Sequence, residues 1–183
     1  MTGQDGGRVA IELAARRAFA RHPYGSVTLR GIAADAGVSA SLIVKHFGGK
    51  EALFDRVADF SAAAESLFDA PLTELGAHAV RTHVEYRRAH HSDPLLRVVF
   101  AVGRADEGSL LRERFRAQVV SRLAERLRSP HAQVRAELFV AGLLGLGAVS
   151  SIDKEGPAAS AHIDDLVELY APSLQAIVTP GTD

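Results

Sequence analysis

Apolar and polar positions follow a helical period along almost the whole chain. Leu29, Ile32, Ala33 and Ala36 fall at i, i+3, i+4 and i+7, one apolar stripe on a short helix. Thr28 stands where an N-cap hydroxyl is needed, and Gly37 where a left-handed residue stops a helix. Ser39 then caps a second short helix that turns Ile43, Phe47 and Leu42 inward and leaves Ala40, Ser41, Val44, Lys45 and part of His46 outside. Upstream, Ile11, Ala15, Ala18 and Phe19 predict a helix over about residues 8–22, ended by Pro23. Tyr24 and Val27 close a three-helix core beside Phe19. Residues 1–7, polar and glycine-rich, read as a disordered arm.

Beyond Gly48-Gly49, Leu53, Val57, Phe60, Ala64 and Leu67 continue one stripe over residues 50–68. A helix of about 18 residues spans roughly 27 Å, enough to act as a connecting lever out of the small module. Further helices are expected over about residues 72–91, 94–104, 109–128, 131–152 and 159–177. Each break has a cause in Asp93-Pro94, Asp106-Glu107-Gly108, Ser129-Pro130 or Gly156-Pro157, with Asp93 placed as a cap before a first-turn proline. Pro172 predicts a kink or an earlier end in the last helix. No convincing strand alternation appears, so the fold class is all-α. The boundaries expected are 1–7 arm, 8–53 helix-turn-helix module with its fourth helix running to about 68, and 54–183 second helical domain.

The composition, 183 residues and 47% hydrophobic, supports a globular chain with a sizeable core. Without cysteine there is no disulfide framework and no thiolate metal site, which suits a reducing cytoplasm. No signal peptide is visible, and the nearly uncharged run 138–152 is shorter than the roughly 20 residues a bilayer needs. The net charge of −1 hides an asymmetry. Residues 8–50 carry seven basic side chains (Arg8, Arg16, Arg17, Arg21, Arg30, Lys45, Lys50) against Glu12 and Asp35, a net +5, so the rest is about −6.

The ordered pieces I-A-x-x-A-G-V-S at residues 32–39 and H-F-x-x-K-E-x-L at residues 46–53 carry a resemblance. From about Val9 to Leu53 the chain resembles the helix-turn-helix of the TetR family of bacterial transcriptional repressors. The resemblance implies a sequence-specific regulator that binds double-stranded DNA, with the second helix of the pair in the major groove and the Lys50 position on phosphate. Thr28, Ser39, Ala40, Ser41, Val44, Lys45, His46 and Lys50 are the candidate DNA-contacting residues. Hydroxyls and ammoniums there can donate to phosphate oxygens, which positions a protein without reading sequence. Val44-Lys45 stands where the family usually has paired aromatics, and Ser41 where it usually has glycine. Val44 offers apolar contact, as to a thymine methyl; Lys45 can donate to guanine or phosphate.

The resemblance further implies a homodimer on a pseudo-palindromic operator, joined by a bundle of the last two helices. Phe139, Gly142, Leu143, Leu146, Val149, Leu166, Tyr170 and Leu174 are the candidate interface. It also implies a small-molecule effector pocket, for which Leu67, Val80, His83, Tyr86, Phe100, Phe115 and Phe139 are candidates, although each also fits a plain core position. His78, His83, Tyr86, Arg87, Arg88, His90 and His91 otherwise read as a solvated helix face, because His78 and His83 are five apart, off the i, i+4 spacing of a metal pair. No metal, cofactor or enzyme activity is expected: there is no phosphate loop after a strand, no G-x-S-x-G and no acid–base pair of motifs. A dimeric DNA-binding or architectural protein without an effector is the alternative, and a cytoplasmic location is expected.

Overall fold

The computed structural model describes residues 3–22, 24–90, 93, 95–96 and 109–179. It is helical with no strand among the described residues, as the periodicity predicts. The chain forms two compact units, one of residues 1–59 and 97–115, the other of residues 60–96 and 116–183.

In the first unit, α1 (Gly3–Arg21), α2 (Leu29–Ala36), α3 (Ala40–Phe47), α4 (Lys50–Val57) and α7 (Ser109–Phe115) surround one core. Ile11, Ala14, Ala15, Phe19, Val27, Ile32, Ala33, Ile43, Leu53 and Phe54 are buried there. α1 starts at Gly3, so residues 3–7 of the expected disordered arm are helical. Extending an existing helix costs far less than nucleating one, and Gly7 lies close enough to Leu42 for an added Cβ to touch it at 3.7 Å. Arg114 pairs with Asp55 and lays its guanidinium 5.4 Å from the centre of the Phe54 ring.

The expected lever over residues 50–68 is two helices, α4 and α5 (Ser61–Phe68). Ala58 still donates to the Phe54 carbonyl, but the Phe60 N–H goes to Gln118 Oε1 at 2.7 Å, so the helical ladder is interrupted by a side chain from elsewhere in the chain.

The second unit contains α5, α6 (Leu75–His90), the six-residue π-helical stretch Arg116–Ser121, α8 (Arg122–Leu127), α9 (Ala132–Ile152), α10 (Pro157–Ser160) and α11 (Ile163–Val178). The helix expected over 94–104 lies almost wholly outside the described residues, but Asp93 does act as a cap: its Oδ1 accepts the Leu95 and Leu96 N–H groups. α11 runs through Pro172 to Val178 rather than ending early. It is held against α6, where Gln175 donates to the Leu72 carbonyl at 2.7 Å and accepts from the Gly76 N–H at 2.8 Å. Gly76 permits that closeness, since an added Cβ would sit 2.7 Å from the Ala171 carbonyl oxygen. α9 is long and apolar enough to cross a bilayer by length and composition, yet Phe139, Val140 and Leu143 are buried in this core.

Candidate nucleic-acid interface

α2 and α3 are stopped and started by single residues. The Thr28 hydroxyl accepts the Gly31 N–H at 3.1 Å, and Ser39 Oγ accepts the Leu42 N–H at 3.3 Å. Gly37 (φ 67°) and Gly48 (φ 84°) take left-handed conformations that end the two helices, and the Gly37 N–H returns to the carbonyls of Ala33 and Ala34. The three residues between α2 and α3, Gly37, Val38 and Ser39, therefore form a tight turn with few free torsions.

Ile43 anchors α3 in the core, fully buried, and this fixes what faces out. Ser41, Val44 and Lys45 are exposed on one side, while Ala40 and His46 are half-buried at its margins. Thr28 and Ser39 are also exposed. Ser39 and Ser41 share a hydroxyl hydrogen bond of 2.9 Å, which commits one proton and leaves the other free to donate outward. Phe47, expected inward, is half-buried and holds the Arg8 guanidinium 5.9 Å from its ring centre.

Lys50 turns back toward the protein. Its Nζ donates to the carbonyls of Tyr24 at 2.7 Å and Val27 at 2.9 Å and lies 4.3 Å from the centre of the Tyr24 ring, so two of its three N–H groups are engaged inside the protein. The basic count of the region shrinks likewise. Arg17 pairs with Asp35 at 2.8 Å, and Arg8, Arg16 and Arg56 gather around the single carboxylate of Glu12 at 3.6, 3.5 and 3.4 Å. Among the described side chains of residues 8–50, Arg30 and Lys45 are the exposed cations with no partner. Arg30 is counted in the basic segment but not among the candidate DNA-contacting residues. Its position two residues after the Thr28 cap and off the apolar stripe of α2 was the signal that would have found it.

A protected surface of hydroxyls and two free cations on a rigid helix pair suits a polyanion, and the comparisons with known proteins agree. The sequence profile described as bacterial regulatory proteins, tetR family, matches residues 11–57, and that described as tetracyclin repressor-like, C-terminal domain, matches residues 73–178. The chain belongs to the TetR family. Residues 11–57 therefore form the family's helix-turn-helix DNA-binding domain, residues 73–178 match its C-terminal helical domain, and the chain is that of a TetR-family transcriptional regulator. A curated relative, the HTH-type transcriptional regulatory protein RaaS of Mycobacterium tuberculosis, is 52% identical over 52 residues, which span 28% of this chain and only 24% of that protein. Among solved structures, a TetR-family regulator from Streptomyces coelicolor is 27% identical, with 97% of each chain covered and a TM-score of 0.53. The fatty acid degradation regulator FadR from Bacillus halodurans shares the fold at 18% identity, covering 96% of this chain and all of that one, with a TM-score of 0.58.

The residues assigned to a TetR-family effector pocket scatter. Leu67, Val80, His83 and Phe139 are buried in the second unit, Tyr86 is exposed on α6, Phe115 belongs to the first unit, and Phe100 lies outside the described residues. His83 does not lie on a solvated helix face. Its Nε2 is 3.3 Å from Asp93 Oδ2, which Arg87 Nε also approaches at 3.1 Å, and Arg87 reaches on to Ser151 of α9 at 3.0 Å. Gly147 makes the room, because a Cβ there would strike Asp93 and come within 3.0 Å of His83. Burial alone would raise the Asp93 carboxyl, but the adjacent His83 and the Leu96 and Leu95 amides outweigh it and hold it below the ordinary carboxylate value. The sequence could not show this, since Asp93 reaches His83 only by folding back. Among the described residues no cluster of metal-ligating side chains occurs.

The residues assigned to a dimer interface lie mostly inside the chain. Phe139, Leu143, Leu146, Leu166 and Leu174 are buried within this chain, Tyr170 donates its hydroxyl to the Gly142 carbonyl at 2.9 Å, and a Cβ on Gly142 would run into Leu174. They join α9 to its own neighbours, which is why their apolar face needs no partner. Of the set, Val149 alone is a large exposed apolar residue. The outward stripe of α9 is instead Val134, Leu138, Ala141, Gly145, Val149 and Ile152, and α11 adds Leu169, 81% exposed, with Pro172 and Ala176.

Proposed function

We propose that the protein is a homodimeric repressor that holds a pseudo-palindromic operator through α3 and leaves it when a small molecule binds the second unit. The observation that carries the DNA half is the outward Ser41, Val44 and Lys45 face on a helix whose opposite side is locked by buried Ile43. Val44 meets base edges by apolar contact, Lys45 and Arg30 meet phosphate or guanine, and Thr28, Ser39 and Ser41 donate hydroxyls to the backbone. One such module covers few base pairs, so a two-fold pair adds two sets of contacts at a fixed spacing.

The second copy docks on the exposed stripe of α9 and α11. Leu138, Ala141, Gly145, Val149 and Ile152 recur three or four residues apart, as helices that interlock require, and leaving them in water exposes a long apolar patch. Gly145, with nothing within 4 Å of an added Cβ, lets a partner helix come close.

Release follows if the effector binds the form that is poor at DNA more tightly than the competent form; a clean switch takes about 5.5 kcal/mol of difference. The likeness of residues 73–178 to a tetracyclin repressor-like domain supports this arm. The protein is incubated with random duplexes, the bound fraction is sequenced, and the complex is sized by sedimentation. An inverted-repeat motif bound by two copies is expected, followed by release or a rise in melting temperature with one member of a metabolite library. A motif bound by single copies would remove the dimer, and binding indifferent to every small molecule would favour the effector-independent regulator.

A further inference from the structure

Lys50 opens α4, yet its ammonium points back into the protein, onto the turn that leads into α2. Its two carbonyl acceptors belong to Tyr24 and to Val27, the residue immediately before the Thr28 cap. The turn rests on a firm floor: the Tyr24 ring stacks on Phe19 at 5.7 Å and meets Phe54 edge-on at 5.1 Å, while Phe19 and Phe54 meet at 5.0 Å. The ammonium lies over that Tyr24 ring, half-buried. Swinging it out to a phosphate would leave two carbonyls without their donor and discard the ring contact, and a buried acceptor left unpaired is destabilising. A charge near this turn that can reach a duplex without such a loss is Arg30, exposed and with no partner among the described residues, two residues beyond Thr28.

We propose that Lys50 is a positioning residue for DNA binding rather than a phosphate ligand: by clamping the turn at residues 24–27 it fixes the start of α2 and so aims Arg30 at the DNA backbone. The proposal rests on reading α2 and α3 as the DNA-contacting pair. The clamp requires a compact ammonium. A guanidinium keeps the charge but is longer and planar, with its donors in a rigid fork, and does not converge on the same two carbonyls over the ring.

The test uses the full chain and the duplex that the wild-type protein itself recovers from a random library. Affinity is measured across salt concentrations for wild type, Lys50→Met, Lys50→Arg, Arg30→Gln and the double variant Lys50→Met/Arg30→Gln. Arg30→Gln lowers the salt slope by about 0.9 per protomer. Lys50→Met lowers it similarly and weakens binding about tenfold. The double variant is no worse than either single one, because both remove one contact. Lys50→Arg binds less tightly than wild type although its charge is kept. Slopes that add in the double variant, or wild-type affinity in Lys50→Arg, would make Lys50 a direct phosphate ligand and overturn the proposal. So would Lys50 variants that melt earlier yet bind DNA unchanged. If Lys50→Met does not fold, Lys50→Arg and its combination with Arg30→Gln carry the same comparison. Failure of the wild-type protein to enrich any duplex would overturn the DNA-binding reading itself, visibly and before any variant is made.

Discussion

α3 turns a short face of two hydroxyl-bearing and cationic residues around one valine outward, whereas α9 turns out a long stripe of valine, leucine, alanine, glycine and isoleucine. The two faces ask for different partners. Ser41 and Lys45 are well hydrated when free and gain by exchanging water for phosphate or base edges, an exchange that salt weakens. Leu138, Val149 and Ile152 gain by leaving water, an effect that salt does not screen. In both helices the inward side is settled within the chain, by Ile43 in α3 and by Phe139, Val140 and Leu143 in α9. What each helix binds is therefore set by residues that contribute little to the unit's own stability.

The comparison breaks first at the inward sides. Ile43→Ala should cost about 2–5 kcal/mol of stability in denaturant unfolding, since a fully buried side chain leaves a cavity. Val44→Ala, one residue on and 47% exposed, should stay within about 0.5 kcal/mol. Similar losses for both would mean that the two faces of α3 are misassigned. Next come two glycines of α9. Gly142→Leu should lose about 1–3 kcal/mol by overpacking Leu174 and Tyr170, whatever the association state. Gly145→Leu should keep the helical content and melting profile of a folded protomer but shift sedimentation toward monomer. A normal dimer from Gly145→Leu would move the second copy off this stripe.

A smaller effect separates the buried polar cluster from both faces. The Asp93 carboxyl is held below its unfolded value, so its contribution is fully present above the ordinary carboxylate range and is lost as pH falls through the folded pKa. Asp93→Asn should flatten the acid limb of stability against pH while lowering stability near neutrality. Acid limbs of equal steepness would show that Asp93 does not carry it. Lys45→Ala should change stability least of all, yet reduce the salt slope of DNA binding by about 0.9 per protomer if it meets phosphate. An unchanged slope and affinity would remove Lys45 from the interface.

The head of the molecule was legible because its signals are local. Thr28, Gly37 and Ser39 specify where α2 and α3 start and stop, and each does so through bonds to residues three or four positions away. The rest depends on distant partners. The break between α4 and α5 comes from Gln118, 58 residues from Phe60, and the Lys50 clamp from carbonyls 26 and 23 residues earlier. α9 misled for another reason. Its apolar residues lie nearly all round the helix, so the periodicity names no single inward face, and only its packed neighbours, α6, α8, α11 and the π-helical stretch, decide that Leu143 is core and Leu138 is surface. His83 sits in a stretch dense with His and Arg that looks solvated until Asp93 is brought beside it.

The most direct test of the central claim, that the outward face of α3 reads DNA in two-fold pairs, is the base preference of Val44→Arg. Random-duplex selection is run on the variant beside the wild type. An inverted repeat should emerge from both, differing at one base pair in each half-site, with guanine favoured by the variant, because arginine donates to guanine where valine offers only apolar contact. Identical motifs from the two proteins, or a motif without two-fold symmetry, would contradict the account.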